Sequence, residues 1–158
     1  MLCTAAFGGG VALQGSHVEG VSMLPSLQSG QLLLVNRTAF WFGGPHRGDL
    51  VVFRAPVGPS RDFVKRVIGL PGDHLFVRNN RAYINGKPLN EPYINKSTTC
   101  DELCNLPKQI TIPPGHFFMM GDNRAESDDS RQWGPVPKKW IIGRAFFTYW
   151  PPSRIGTL

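Results

Sequence analysis

No stretch of the 158-residue sequence approaches the roughly 20 uninterrupted apolar residues that a bilayer-spanning helix requires, so the chain is expected to be soluble or to lie on a surface. Charged residues make up only 18%, below the ordinary level of about 25%. Apolar residues at 41% and aromatics at 11% nevertheless exclude intrinsic disorder. Acidic residues are the scarcer charge: 17 Lys+Arg against 11 Asp+Glu leave a net charge of +6 and a pI near 9.6. That balance suits contact with an anionic surface, phospholipid or nucleic acid, without choosing between them. Helical periodicity is scarce, and 18 Gly with 14 Pro point to turns and strands, which excludes a helix-dominated fold. Internal repeats, low-complexity tracts and linker composition are also missing, so one domain is expected.

The apolar opening Met1 to Leu13 is interrupted by Gly8, Gly9 and Gly10 and lacks a basic n-region, so it reads as neither signal peptide nor span. Gly15-Ser16-His17 resembles a vector-derived scar. Residues 1–17 are therefore expected to be a leader or tethered segment, with a single domain over 18–158. Thr4-Ala5-Ala6 and Gly10-Val11-Ala12 each carry small residues two apart.

From Val18 onward, short apolar runs end at Gly or Pro, the rhythm of a mainly β domain. Gln31–Asn36, Asp49–Arg54, Asp62–Ile68, Gln109–Ile112, His116–Met120 and Ile141–Trp150 read as strands. His74–Val77 and Ala82–Asn85 flank Asn79-Asn80 as a hairpin, with a second turn at Asn85-Gly86. The polar segment Leu89–Lys108, with Cys100 and Cys104, predicts a small excursion inserted within residues 74–112. Ser127 to Ser130 predict a turn or one short helical segment.

Three features carry chemistry. Ser22 lies in Gly20-Val21-Ser22-Met23-Leu24-Pro25, a constrained loop able to present a hydroxyl, although most such serines make only a local turn bond. Neither a Gly-x-Ser-x-Gly elbow nor a histidine at fixed spacing accompanies it, so a Ser-His-Asp triad has no support. Lys65 sits in Phe63-Val64-Lys65-Arg66-Val67-Ile68, where alternation places Phe63, Lys65 and Val67 on one face. A buried lysine there loses part of its affinity for a proton and can act as a base, whereas a snorkelling lysine is commoner on residue type alone. The third feature is Gly121 to Arg131, in which Asp122, Asn123, Arg124, Ser127, Asp129, Ser130 and Arg131 form either a solvated loop or a scaffold that orients another element.

Ser22-Met23-x-Pro25, Lys65-Arg66 with Gly69-x-Pro71-Gly72-Asp73, and Gly121-Asp122-Asn123-Arg124-x-x-Ser127-x-Asp129-Ser130-Arg131 together resemble, in order, the blocks of bacterial type I signal peptidases, over about Val18 to Pro151. The resemblance implies an antiparallel β-sheet or barrel core and a serine endopeptidase that removes signal peptides from secretory preproteins through an acyl-enzyme. It makes Ser22 the nucleophile and Lys65 the general base, with Ser127 bonded to the lysine nitrogen and Asp129 and Arg131 buttressing the loop. The Ser22 N–H would stabilise the oxyanion. Gly20 stands where many members carry a second hydroxyl donor, and Ser26 where a threonine is common. Met23, Leu24 and Val64 adjoin the dyad as candidate substrate-binding residues. No cofactor and no metal site is implied, since two cysteines alone make a poor metal site.

The same resemblance implies work at the outer face of the cytoplasmic membrane, with secretory preproteins and phospholipid as partners and no nucleic acid. The family's N-terminal membrane helix is not visible in the sequence, so a catalytic domain without its anchor is expected. Phe40, Trp41 and Phe42 either help it lie on the bilayer or pack under a loop. An extracytoplasmic location permits a Cys100–Cys104 disulfide. A competing reading is a basic β-barrel that binds nucleic acid without catalysis, which leaves Ser22, Lys65 and the Gly121 block unexplained.

Overall fold

The strand-and-turn rhythm is realised in a computed structural model describing residues 2–5, 12–56, 58, 61–94 and 104–158. Its strands are Leu2–Ala5 (β1), Leu13–Val18 (β2), Leu32–Asn36 (β3), Leu50–Arg54 (β4), Asp62–Gly69 (β5), His74–Arg78 (β6), Arg81–Ile84 (β7), Lys87–Pro88 (β8), Ile110–Thr111 (β9), His116–Met120 (β10), Val136–Pro137 (β11), Ile141–Trp150 (β12) and Gly156–Thr157 (β13). Among the described residues one α-helical turn, Ser130–Trp133 (α1), begins at the end of the polar Gly121–Arg131 block.

The larger sheet runs β1-β2-β3-β12-β4-β5-β10-β11, with β13 on β12 and antiparallel pairing throughout. Leu2 of β1 also pairs with Asp62 of β5, so the first six strands in this order return on themselves as a barrel-like ring. Val18, Met23, Leu27, Leu33, Val35, Leu50, Val52, Val64 and Ala145 form one of its cores, as the two-residue side-chain period of its strands requires.

The fold extends ahead of Val18, which corrects the boundary expected from Gly15-Ser16-His17: these residues pair with Leu34, Leu33 and Leu32 of β3, and Ser16 is buried. Backbone hydrogen bonds carry that pairing, so the strand forms without the apolar alternation that marks the others. Thr4 and Ala5 pair with Ser16 and Gly15, which stand further along the chain from Ser22 than Val18, the partner of Leu2. Ala6, Gly10 and Val11 lie outside the described residues.

The smaller sheet, β8-β7-β6-β9, is the predicted hairpin and its continuation. Asn79 (φ 49°) and Asn80 (φ 64°) form the two-residue turn between Arg78 and Arg81, and Asn85 (φ 51°) with Gly86 (φ 79°) repeats it between Ile84 and Lys87. Asparagine and glycine are the residues that adopt this left-handed backbone at low cost. The inner face, Leu75, Val77 and Ala82, packs on Ile68, Ile112, Phe118 and Met120, which docks this sheet behind β5 and β10.

Candidate active site

Two strands of the ring and one loop converge on Ser22. The chain leaves β2 through a turn closed by the Leu24 N–H on the Val21 carbonyl (3.1 Å) and by the Leu27 N–H on the Met23 carbonyl (2.8 Å). Met23 and Leu27, 2% and 0% exposed, root this turn in the ring core. From the other side, the Asn123 N–H donates to the Ser22 carbonyl (3.0 Å) and the Asn123 side-chain amide to the Val21 carbonyl (3.1 Å). Both carbonyls are thereby turned toward Asn123. Among the described residues, no hydrogen bond takes up the Ser22 N–H, which remains available to a ligand oxygen.

Lys65 reaches the same point from β5, where it lies opposite Val51. Its Nζ donates to Ser22 Oγ at 2.6 Å. The residue is only 4% exposed, and the Phe63 ring centroid lies 5.5 Å from the nitrogen. Burial is the dominant influence on the amine and brings its pKa down from 10.5 to about 8; Asp129, Asp128 and Asp122 pull the other way, while Arg131 adds to the lowering. The commoner snorkelling lysine is thus not what β5 presents.

The Gly121–Arg131 block is folded around one carboxylate. Asp129 Oδ2 accepts from Ser127 Oγ (2.8 Å), the Gly121 N–H (3.0 Å) and Arg131 Nη2 (2.8 Å), and Oδ1 accepts from Arg131 Nε (2.8 Å). Asp129 also caps α1 in a capping box with Gln132. Ser127 Oγ donates its proton to Asp129 and Lys65 donates to Ser22; among the described residues no hydrogen bond joins Ser127 to Lys65. Gly121 is enclosed, since a Cβ there would lie 2.2 Å from Ser127 Oγ and 2.5 Å from the Ser22 carbonyl oxygen.

A cavity of about 230 Å³ opens onto Ser22 and Lys65. Gly20, Met23 and Val64 line it, as do Glu19, Val21, Phe63, Glu126 and Asp128. Leu24 does not, because the tight turn after Val21 carries it out of the lining. Gly20 has a φ of +92° and open space around its Cβ position, so its backbone conformation, and not crowding, favours glycine. Cys104 is disulfide-bonded; Cys100 lies outside the described residues. No group of three or more potential metal ligands occurs among the described residues.

Comparison with known proteins supplies the family. The family model described as signal peptidase, peptidase S26, matches residues 1–150. The chain belongs to the S26 signal peptidase family. It is 43% identical over 143 residues to signal peptidase I of Bacillus caldolyticus, covering 85% of this chain and 78% of that one. It is 38% identical over 149 residues to signal peptidase IB of Staphylococcus aureus, covering 86% and 77%. A crystal structure of a signal peptidase I from Enterococcus faecalis superposes with a TM-score of 0.53 at 35% identity, over 63% of this chain and 95% of that one. Both the S26 membership and the mainly antiparallel β architecture agree with what the three sequence blocks implied, and the S26 match also spans β1 and β2.

Sequence reasoning missed several groups around this S26 site. Arg66, on the opposite face of β5 from Lys65, holds Asp122 through Nε–Oδ1 (2.8 Å) and Nη2–Oδ2 (2.6 Å) and lies 4.0 Å over the Tyr93 ring. Alternation indicated which face Arg66 takes, but nothing local to it names a partner 56 residues away. The clamp of Asn123 on the Ser22 turn, spanning 102 residues to Val21, carried no local signal either.

Proposed function

We propose that Ser22 is the nucleophile and Lys65 the general base of this signal peptidase family member. The observation that carries the assignment is the 2.6 Å hydrogen bond between a loop serine and a lysine that is 4% exposed. The chain is a serine endopeptidase of the S26 family, and its reaction is the removal of signal peptides. Neutral Lys65 takes the Ser22 proton as Oγ attacks the scissile carbonyl, passes it to the leaving amine, and then activates the water that hydrolyses the acyl-enzyme. The Ser22 N–H is placed to donate to the oxyanion; Gly20 offers no hydroxyl beside it. Ser127, Asp129 and Arg131 act through Lys65 by fixing the loop behind it.

An extended substrate fits between two backbone edges. Pairing of β10 with β5 covers Arg66 to Gly69, while Phe63, Val64 and Lys65 border the cavity opposite Val18 to Ser22. A substrate strand there gains main-chain hydrogen bonds, with selectivity left to shallow side-chain sites. Met23 and Val64 line such a site and suit small residues, the pattern expected in secretory preproteins. The nucleic-acid reading finds no support in the family comparisons.

The chain is assigned to the outer face of the cytoplasmic membrane, where its substrates emerge. No helix among the described residues is long and apolar enough to cross a membrane. Surface contact is assigned to Trp41 and Phe42, which are 70% and 101% exposed, beside a groove that includes Arg37 and Lys138. Phe40, in contrast, is 8% exposed and packs in a core with Val51 and Phe53.

Cleavage of a signal-peptide substrate in phospholipid by wild type, Ser22→Ala and Lys65→Ala tests the dyad, with circular dichroism confirming all three folds. Loss of cleavage in both folded variants is expected, and cleavage surviving in either overturns the assignment.

A further inference from the structure

Arg124 is a charged side chain with 0% exposure, and its partner Glu91 is 3% exposed. The two are joined through Arg124 Nη2 and Glu91 Oε1. Arg124 also donates from Nε to the Gly121 carbonyl (3.1 Å) and from Nη1 to the Asn80 carbonyl (2.8 Å). Glu91 Oε2 accepts from the Ala82 N–H (3.0 Å). One buried pair therefore ties the start of the Gly121 loop to the hairpin tip, to β7 and to the excursion that follows β8.

A pair buried this deeply is weak evidence for stability, because well-packed apolar side chains of similar volume often serve the fold equally well or better. Its position suggests another use. The Arg124 carbonyl accepts from Arg131 Nη2 at 2.7 Å, and the same guanidinium grips Asp129. Asp129 is the largest of the charges acting on Lys65. Two residues beyond Glu91, the Tyr93 ring supports Arg66, which holds Asp122. Both ends of Asp122–Arg124 thus rest on the 91–93 segment, with Asn123, the clamp on the Ser22 turn, between them.

We propose that Glu91 and Arg124 are positioning residues, a buried ionic staple by which the small sheet and its excursion hold the Gly121–Arg131 loop in register with Ser22 and Lys65. The inference rests on the Ser22/Lys65 reading. Neither residue lines the cavity at Ser22, so the staple acts on the geometry of reaction and leaves substrate binding alone.

The test measures kcat and KM for peptide cleavage, together with thermal unfolding, in wild type, Ser22→Ala, Glu91→Gln and the double variant Glu91→Leu/Arg124→Met. Glu91→Gln keeps the side-chain shape and an acceptor for Ala82 while removing the charge. The double variant replaces the pair by apolar groups of similar size; because it also removes the donors to the Gly121 and Asn80 carbonyls and the acceptor of the Ala82 N–H, it is expected to fold but to unfold below the wild-type temperature. Since small misplacements of reacting groups can cost about a hundredfold in rate, kcat in both is expected to fall at least about tenfold with KM held within about threefold. Wild-type kcat in a folded Glu91→Gln protein, or its return in the double variant, overturns the proposal and leaves the pair a purely structural one. Should the double variant not fold, Glu91→Gln alone decides by the same kcat criterion; should neither fold, the pair serves the fold and the proposal falls. Cleavage by Ser22→Ala would instead bring down the dyad on which the inference rests.

Discussion

Lys65 Nζ and Ser22 Oγ meet at 2.6 Å although 43 residues separate them in the chain. The serine is held by a turn rooted in the ring core, and the lysine by a strand that buries its stem. An amine with a pKa of about 8 is substantially neutral in mildly alkaline solution, and only the neutral form can accept the Ser22 proton. Cleavage is therefore expected to rise with pH through about 8. The pH dependence of kcat measures this directly, and a rate already flat at pH 6 would remove Lys65 from the role of base.

The same burial has a stability consequence of defined sign. The unfolded chain keeps this lysine protonated up to about pH 10.5, whereas the folded protein releases the proton near 8. Between those values the unfolded state binds more protons, so stability rises with pH; below about 8 the folded protein bears the full penalty of a buried ammonium. At 1.36 kcal/mol per unit the effect amounts to about 3 kcal/mol. Lys65→Met is expected to be inactive and more stable than wild type at pH 7, with the gap closing toward pH 10. Urea unfolding of both proteins across that range reads the two slopes, and a gap that widens with pH would contradict the sign.

Parts of this molecule legible in the sequence share a physical trait: their determinants are local. Asn79-Asn80 and Asn85-Gly86 announce their turns because few other residues adopt positive φ there. Ile141–Trp150 and His116–Met120 form over the residues predicted because their flanking turn residues bound them. Ser22 and Lys65 are individually weak signals, and only the agreement of three blocks singles them out. Leu13–Val18 was missed because its strand is held by pairing with β3 and carries no alternation of its own. Leu24 adjoins Ser22 in the chain yet does not line the cavity, because adjacency along the chain says nothing of where a tight turn sends a side chain. Arg66–Asp122 and Glu91–Arg124 stayed hidden because a buried ion pair is defined by tertiary approach alone.

Gly20 and Gly121 are glycines for different reasons, and substitution separates them. Gly20→Ala meets no atom within 4 Å but forces a side chain onto φ +92°. A cost of about 1–3 kcal/mol in stability is expected, with cleavage retained. Gly121→Ala drives a Cβ against Ser127 Oγ and the Ser22 carbonyl. The loop and the nucleophile turn must part by about an ångström, and kcat is expected to fall by about a hundredfold. Denaturation midpoints and kcat for the two alanine variants check this; equal activity in both would mean that the loop tolerates displacement.

Phe42 is fully exposed and Trp41 70% exposed, while Phe40 between them and the core is buried. This arrangement holds two aromatic side chains out on a rooted support, with Trp41 lining the same groove as the basic groups Arg37 and Lys138. Aromatic side chains bury about 150–250 Å² each when covered, and at about 25 cal/mol per Å² even partial insertion contributes several kcal/mol to surface binding. Trp41→Ser/Phe42→Ser is expected to weaken binding to anionic phospholipid vesicles at least about tenfold. Cleavage of a short soluble peptide should be unchanged, because neither residue lines the cavity at Ser22. Raising salt should weaken the basic contribution and leave the aromatic one. Vesicle sedimentation at low and high salt measures both parts, and undiminished binding by the double variant would remove Trp41 and Phe42 from any role in phospholipid contact.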